Sequence, residues 1–404
     1  MSAARSRPLR VAVVSEFYPS ERDPVLGVWA HRQTLASAHA GVEVRVLVLN
    51  RLVPPRAAAA AGPAAALAAF LARAREPLRQ NRDGVEVQYV PFVSPPRERS
   101  YPAWGSWAAP PLAIALARLR RSFPFDLVHA HNAVPAALAV RRARAGVPLV
   151  VSVHGADVLH TVRRGASGAQ AVAAGLAAAR LTLANSQGIA ELALADGARE
   201  TRVVHLGTDL PPLQRGESAP HRETSLVSVA HLVARKRHAD VLRALAVLGE
   251  KYPRLRYTVI GDGPERASLE ALATRLEVRE RVEFLGALAP AEALERARRG
   301  TLFVLPSIDE AFGVAYIEAM AGGLPAIGCR GEPGPEEIAA AGDGFVLVPP
   351  GDIERLTQRI DELLSDPHRL REAGQRARAT VAAHFTWKQC GEQTLAAYEH
   401  ALRS

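Results

Sequence analysis

One stretch, Asp309-Glu-Ala-Phe-Gly-Val-Ala-Tyr-Ile-Glu-Ala-Met-Ala-Gly-Gly-Leu-Pro325, carries the densest chemical signal in the chain. It follows a short apolar run read as a strand, Leu302–Leu305, and enters a segment with helical spacing. Glu310 and Glu318 are eight residues apart, roughly 12 Å if the whole interval is helical. One carboxylate can then accept hydrogen bonds from sugar hydroxyls and the other from a ribose. A diphosphate between them would meet the backbone N–H groups of Phe312, Gly313 and Val314, where a helix N-terminus favours an anion. Gly313 lets the backbone come close. Alone, either glutamate reads as an acid on an exposed loop or amphipathic helix; the full string points to a ligand.

Three further groups of residues have chemical potential. Val153-His154-Gly155-Ala156-Asp157 closes the apolar run Leu149–Val153, placing an imidazole at a strand end beside a glycine that permits a tight turn. The nearby pair His129-Ala-His131 is expected to direct its two rings to opposite sides of a strand, with no role beyond packing or rim contacts. Phe17-Tyr-Pro-Ser and Leu26-Gly27-Val28-Trp29-Ala-His31-Arg32-Gln33 make a strand, a loop and a glycine at a helix start, another place for amides to meet phosphate. This stretch lacks G-x-G-x-x-G, which argues against a dinucleotide-dependent dehydrogenase. Ala230-His231-Leu-Val-Ala-Arg235-Lys236-Arg237-His238 puts a basic cluster after a strand, and for Arg237 a solvated face is the simpler reading.

These motifs together resemble the retaining GT-B glycosyltransferases of family 4. The E-x7-E string, with Ile327-Gly-Cys-Arg-Gly-Glu332 behind it, is similar to the branch that builds cell-wall and surface polysaccharides, including enzymes of teichuronic acid biosynthesis. The resemblance spans almost the whole chain and is weakest from about Val53 to Ser106. It implies a GT-B fold, two Rossmann-like doubly wound parallel-sheet domains with a cleft between them. It also implies a hexosyl transfer from a UDP- or GDP-sugar to a glycan, lipid-linked or small-molecule acceptor. Glu310 would hold the donor sugar, Glu318 the ribose, and His154 of the H-G-x-D element would lie beside the reacting sugar. Lys236 matches a diphosphate-binding lysine. His231 stands where the family has arginine, so Arg235 would compensate or His231 would donate a neutral hydrogen bond. Gly261, in Ile260-Gly-Asp-Gly-Pro264, matches a loop near the nucleotide, and Leu285 lies where the base would rest. Gly27 would border the diphosphate, with Trp29, His31 and Asp157 on the acceptor side. The implied mechanism is a front-face displacement in which the leaving phosphate helps deprotonate the acceptor. No Asp-x-Asp clamp follows a strand, so neither metal nor other cofactor is expected. The rivals are a GT-B epimerase, a phosphorylase, which needs a pyridoxal lysine that none of the three lysines resembles, and a catalytically silent glycan- or membrane-binding protein.

The elements that must position these groups follow from periodicity. Short β-branched runs alternate with helical stretches, which argues for βαβ units. Strands are expected at 10–15, 43–49, 85–90, 126–130, 149–153, 181–184 and 202–205. The alternation restarts at 226–230, 257–260, 282–285, 302–305, 326–328 and 345–348. The restart divides the chain into an acceptor domain, 1–211, a polar Pro-rich linker, 212–225, and a donor domain, 226–385, with a last helix, 386–404, returning to the first. Residues 57–80 read as a helical excursion broken at Pro63 and Pro77.

Bulk properties narrow the partners. The chain of 404 residues is 48% hydrophobic and 23% charged, as suits a globular two-domain protein. Val11–Val14 is too short for a signal-peptide core and the uncharged stretch 57–72 is broken at Gly62-Pro63, so a cytoplasmic protein is expected. Cys329 and Cys390 have no metal-binding spacing and are expected to be reduced. Residues 1–211 hold 25 basic and 14 acidic residues, the remainder 25 and 27, so the net charge of +9 comes wholly from the first half. Nearly all of it is arginine. An anionic acceptor or an anionic membrane surface on the inner face fits this split. No nucleic-acid motif with stacking aromatics accompanies it.

Overall fold

A computed structural model describes residues 7–20, 23–53, 56–74, 77–212 and 224–403. The chain forms two compact units, one of residues 1–204 with 390–404 and the other of residues 205–389. The division thus falls after Val204, seven residues before the expected boundary. Most of the proposed linker, residues 213–223, lies outside the described residues.

Among the described residues the first unit holds an eight-stranded sheet. Its strands are β1 (Arg10–Ser15), β2 (Glu43–Arg51), β3 (Arg79–Arg82), β4 (Val85–Phe92), β5 (Leu127–His131), β6 (Leu149–Val153), β7 (Leu181–Ala184) and β8 (Thr201–Val203). They lie in the order β3-β4-β2-β1-β5-β6-β7-β8. β1, β5, β6 and β7 are covered on both faces and read as near-continuous apolar runs interrupted only by Ser, Thr and His after the half-buried Arg10, as buried parallel strands do. The exception is β3, which pairs antiparallel with β4. Of the helical excursion expected over 57–80, the described part forms helices Arg56–Ala60 and Pro63–Ala74, and its last residues, Arg79 and Gln80, join a hairpin instead. The cause is Asp83-Gly84, both at positive φ (48° and 82°), a two-residue turn whose twist matches paired strands.

The second unit carries β9 (Ser225–Val229), β10 (Arg256–Ile260), β11 (Val282–Gly286), β12 (Leu302–Val304), β13 (Ala326–Cys329) and β14 (Phe345–Val348). Their order, β11-β10-β9-β12-β13-β14, is the 3-2-1-4-5-6 arrangement of a dinucleotide-type doubly wound sheet. Every pairing in it is parallel. Leu226, Tyr257, Val259, Leu302, Val304 and Ile327 interlock with Leu242, Leu245 and Ile360 in its core. From Cys390 the final helix, Trp387–Arg403, belongs to the first unit, where Gly391 packs on the Ala36 carbonyl. A Cβ on Gly391 would stand 2.1 Å from that oxygen.

Candidate active site

Ligands of doubly wound sheets bind beyond the C-terminal strand ends where the strand order reverses. In the second unit that point lies between β9 and β12. The loop after β9 runs through Ala234–Lys236, a single 3-10 turn, to Arg237 in the left-handed region (φ 54°). The loop after β12 runs from Leu305 to Gly313, the left-handed cap of the helix Val314–Ala321. The two loops are stitched together: the Ile308 amide donates to the Arg235 carbonyl at 2.9 Å, and Arg235 Nη1 donates to the Asp309 carbonyl at 3.4 Å. Lys236 Nζ donates to Glu310 Oε2, and both side chains are only 12% exposed. Ser307 Oγ donates to the same oxygen at 2.8 Å.

Glu310 is held at three points. Its amide donates to Glu332 Oε2 at 2.8 Å and its carbonyl accepts from the Gly334 amide at 3.1 Å. Burial opposes its charge, but Lys236, Ser307 and Arg235 together hold its carboxyl below the usual range. Burial pushes Glu332 the other way. The amides of Phe312, Gly313 and Val314 have no acceptor among the described residues. A Cβ on Gly313 (φ 91°) would stand 2.3 Å from the Tyr316 ring, so the close backbone turn requires glycine. The Phe312 side chain points inward against Phe385, leaving its amide as the useful group. Glu318 is half-buried on the following helix.

Gly261 and Gly263 bring a second backbone edge to this place. The Leu232 amide donates to the Asp262 carbonyl at 2.9 Å, and a Cβ on Gly261 would fall 1.9 Å from the Ala230 oxygen. Leu285 is half-buried on β11 and His231 is exposed after β9. The structure thus brings Arg235, Lys236, Glu310 and the 312–314 amides to one switch point, with His231 and Gly261 on the adjoining loops.

In the first unit the reversal lies between β1 and β5. Gly27 (φ 77°) packs on the loop after β1, and a Cβ there would stand 2.2 Å from the Phe17 carbonyl carbon. The next helix, Val28–His39, carries Trp29, whose ring centre is 6.2 Å from His154 and 6.3 Å from Phe17. Trp29 and His154 are therefore neighbours. His31 does not join them. It is buried, with Nδ1 2.8 Å from the Tyr18 hydroxyl and Nε2 2.7 Å from Asp83. Burial lowers its pKa, opposed by Asp83. Asp157 is 1% exposed, and its oxygens accept the Ala133 and Val134 amides at 2.9 and 3.2 Å. Burial pushes it up to about 6 against the pull of those bonds. Both side chains hold the fold beside the site.

The expectation that His129 and His131 face opposite sides is corrected: their ring centres lie 4.5 Å apart. Residues two apart on a strand share a face. Nδ1 of His131 lies 2.9 Å from Nε2 of His154. Sequence reasoning also missed Glu16, at the end of β1. Its carboxylate accepts from Arg97 Nη1 at 3.0 Å and the Tyr101 hydroxyl at 2.8 Å. Burial pushes it up to about 7 despite Arg97 and Tyr101. The Arg97 guanidinium lies 4.2 Å from the Tyr101 ring centre and Arg164 lies 5.3 Å from it, while Arg51 lies 4.6 Å from Trp104. The only sequence signal was the basic balance of this half. Tyr316 was visible only as part of the Asp309–Pro325 string, and Ser307, two residues before that string, carried no signal. Among the described residues no group of three or more His, Cys, Asp or Glu is arranged to hold a metal ion.

Residues 26–211 match Glycosyltransferase Family 4, and residues 212–380 match the Glycosyl transferases group 1 family. A D-inositol 3-phosphate glycosyltransferase of Catenulispora acidiphila is 32% identical over 81% of this chain and 83% of its own. An exopolysaccharide phosphotransferase of Streptomyces coelicolor is 36% identical over 38% of this chain, a stretch equal to only 16% of that protein. The Anabaena HepE structure in complex with UDP and glucose superposes with a TM-score of 0.72 at 19% identity, covering 97% of this chain and 99% of that one. That likeness gives the fold, GT-B. The chain belongs to the group 1, family 4 glycosyltransferases.

Proposed function

We propose that this glycosyltransferase moves a hexosyl group from a UDP- or GDP-sugar, with retention at the anomeric carbon, to an anionic acceptor in polysaccharide or glycoconjugate synthesis. The observation that carries the donor half is the buried Lys236–Glu310 pair beside the unengaged amides of Phe312, Gly313 and Val314. Lys236 has three N–H donors, so it can stay on Glu310 while meeting a diphosphate oxygen. Lys236, Arg235 and the amides then take the negative charge that grows on the leaving diphosphate. Glu310, already oriented by Ser307 and Lys236, accepts sugar hydroxyls, and Glu318 accepts the ribose hydroxyls. His154 contacts the reacting sugar. No carboxylate is assigned as a nucleophile; the leaving phosphate takes the acceptor proton as the acceptor oxygen bonds to the anomeric carbon on the same face. The protein contributes position and charge stabilisation, with no metal or cofactor.

An anionic acceptor is supported by the net +11 of residues 1–211 and by the arginines set around Tyr101 and Trp104. The Catenulispora relative is named for a phosphorylated polyol. Lipid-linked phosphates fall within the same class.

A nucleotide-sugar panel scored by thermal shift tests the donor. A ligand at one hundred times its Kd stabilises by about 2.7 kcal/mol, so the right donor stands out. The anomeric configuration of the transferred or hydrolysed sugar then reads retention directly. If no nucleotide-sugar shifts the melting temperature and none is hydrolysed, the chain is a silent binding protein on this fold and the proposal fails.

A further inference from the structure

β5 and β6 run parallel with His131 opposite Ser152, so His154, two residues beyond Ser152, projects to the same side. Three imidazoles gather there. His129 has both nitrogens occupied, Nδ1 2.7 Å from the Tyr398 hydroxyl and Nε2 2.8 Å from Ser152 Oγ. His131 lies against it and meets His154 edge to edge, ring centres 5.2 Å apart and planes within 10°. His131 Nδ1 and His154 Nε2 face each other at 2.9 Å. The other nitrogens of these two rings, His131 Nε2 and His154 Nδ1, are buried and have no hydrogen-bond partner among the described residues.

We propose that His131 is a positioning residue for His154, holding the His154 ring in place through this single bond and tying the two rings to matching tautomers. The proposal rests on the reading of His154 as a contact of the reacting sugar. A neutral imidazole has one N–H and one bare nitrogen. If His131 donates from Nδ1, then His154 accepts at Nε2 and carries its proton on Nδ1. If His154 donates from Nε2, its Nδ1 is bare and His131 carries its proton on Nε2. In either case the two rings hold their protons on the same named nitrogen. A mixed pair would set N–H against N–H, or lone pair against lone pair, in a buried place where neither can turn to water. Burial also disfavours the imidazolium on both rings, pulling His154 down to about 3. His154 is therefore a neutral group at working pH, with Nε2 committed to His131 and Nδ1 buried, so what His131 sets is the placement of the ring. His129, pinned by Tyr398 and Ser152, backs the His131 ring and keeps it from swinging away.

The test uses the full chain with its histidine rings labelled with nitrogen-15, read by two-bond nitrogen–proton correlation at pH 7. His131 and His154 should show the same tautomer. In His131→Gln, whose amide reaches toward the Nε2 position, the His154 signals should shift or split, and turnover should fall at least tenfold with nucleotide Kd unchanged. In His131→Asn, whose amide nitrogen can lie near the lost Nδ1, the His154 tautomer and most of the turnover should return. Opposite tautomers in the wild type overturn the proposal, as does a His131→Gln protein with an unchanged His154 spectrum and turnover within twofold. Should His131→Gln fail to fold, the wild-type tautomers still decide. A wild-type chain that hydrolyses or transfers no nucleotide-sugar defeats the functional reading instead, and the ring spectra report on the coupling regardless.

Discussion

The two units place polar groups at the same topological point and treat charge in opposite ways. In the second, Glu310 is buried but ionised, because Lys236, Ser307 and Arg235 outweigh the cost of burial. In the first, burial wins: His129, His131 and His154 are driven toward neutrality, and Glu16 and Asp157 are pushed up to about 7 and 6. A site that must meet a diphosphate needs fixed charge. A site that must orient sugar hydroxyls and an acceptor can use neutral donors and acceptors, which do not repel or trap a cation-like transition state.

The sharpest way to break this contrast is to remove one half of the charged pair. Lys236→Met leaves the Glu310 carboxylate buried without its cation, and loss of one partner from a buried pair costs about 3–5 kcal/mol. Denaturant unfolding should register that loss, and turnover should vanish. Adding Glu310→Gln should restore most of the stability and none of the activity. If the double variant is no more stable than Lys236→Met, the pair is not a desolvated one and the contrast between the units is weaker than its geometry.

A second comparison separates binding from turnover. Glu318→Ala should weaken UDP or GDP binding by about 1.5–3 kcal/mol, the value of hydrogen bonds to a charged group, or roughly ten- to a hundredfold in Kd by calorimetry. His154→Ala should leave that Kd nearly intact and lower kcat by about a hundredfold, as mispositioning a reacting group does. Wild-type nucleotide affinity in Glu318→Ala removes the ribose assignment. Normal turnover in His154→Ala makes that ring a core residue.

The parts of the site that were legible in the sequence are those in which neighbours in the chain are neighbours in space. Glu310, Gly313 and Val314 fall within one strand-loop-helix passage, so a motif announces them. The strands were legible for a similar reason, since β-branched runs such as Val11–Val14 and Leu149–Val153 have little other use. The polar β3, Arg79–Arg82, has no such run; its only signal is the turn pair Asp83-Gly84 that follows it. Glu16 was invisible because it meets Arg97 and Tyr101 across 81 and 85 residues, and a lone acid after a strand carries no pattern. The His129–His131 face was recoverable from period-two geometry alone, without any tertiary knowledge. His31 and Asp157 lie within the motifs singled out in the sequence, but which way a side chain turns is decided by packing, and both have internal partners.

The smallest expected effect concerns Glu16, where burial and ion pairing compete most closely. Arg97 bonds its carboxylate, but Arg97 is 40% exposed and water screens its charge, so burial prevails and the carboxyl sits at about 7. A carboxyl raised in the folded state contributes stability that is fully present below its unfolded value near 4.5 and is lost as pH rises through about 7. Asp157 acts with the same sign, losing its contribution as pH rises through about 6. The buried histidines act with the opposite sign, losing theirs as pH falls from 6.5 toward about 3, so the overall pH profile blends the two. Subtracting the wild-type unfolding free energy from that of Glu16→Gln isolates the one carboxyl. That difference should move in favour of the glutamine variant between pH 5 and pH 8, by on the order of 1–2 kcal/mol. A difference that stays flat across this range would mean that Glu16 ionises at its ordinary pKa with Arg97 as a full partner, and that the first unit, like the second, holds a fixed charge at its switch point.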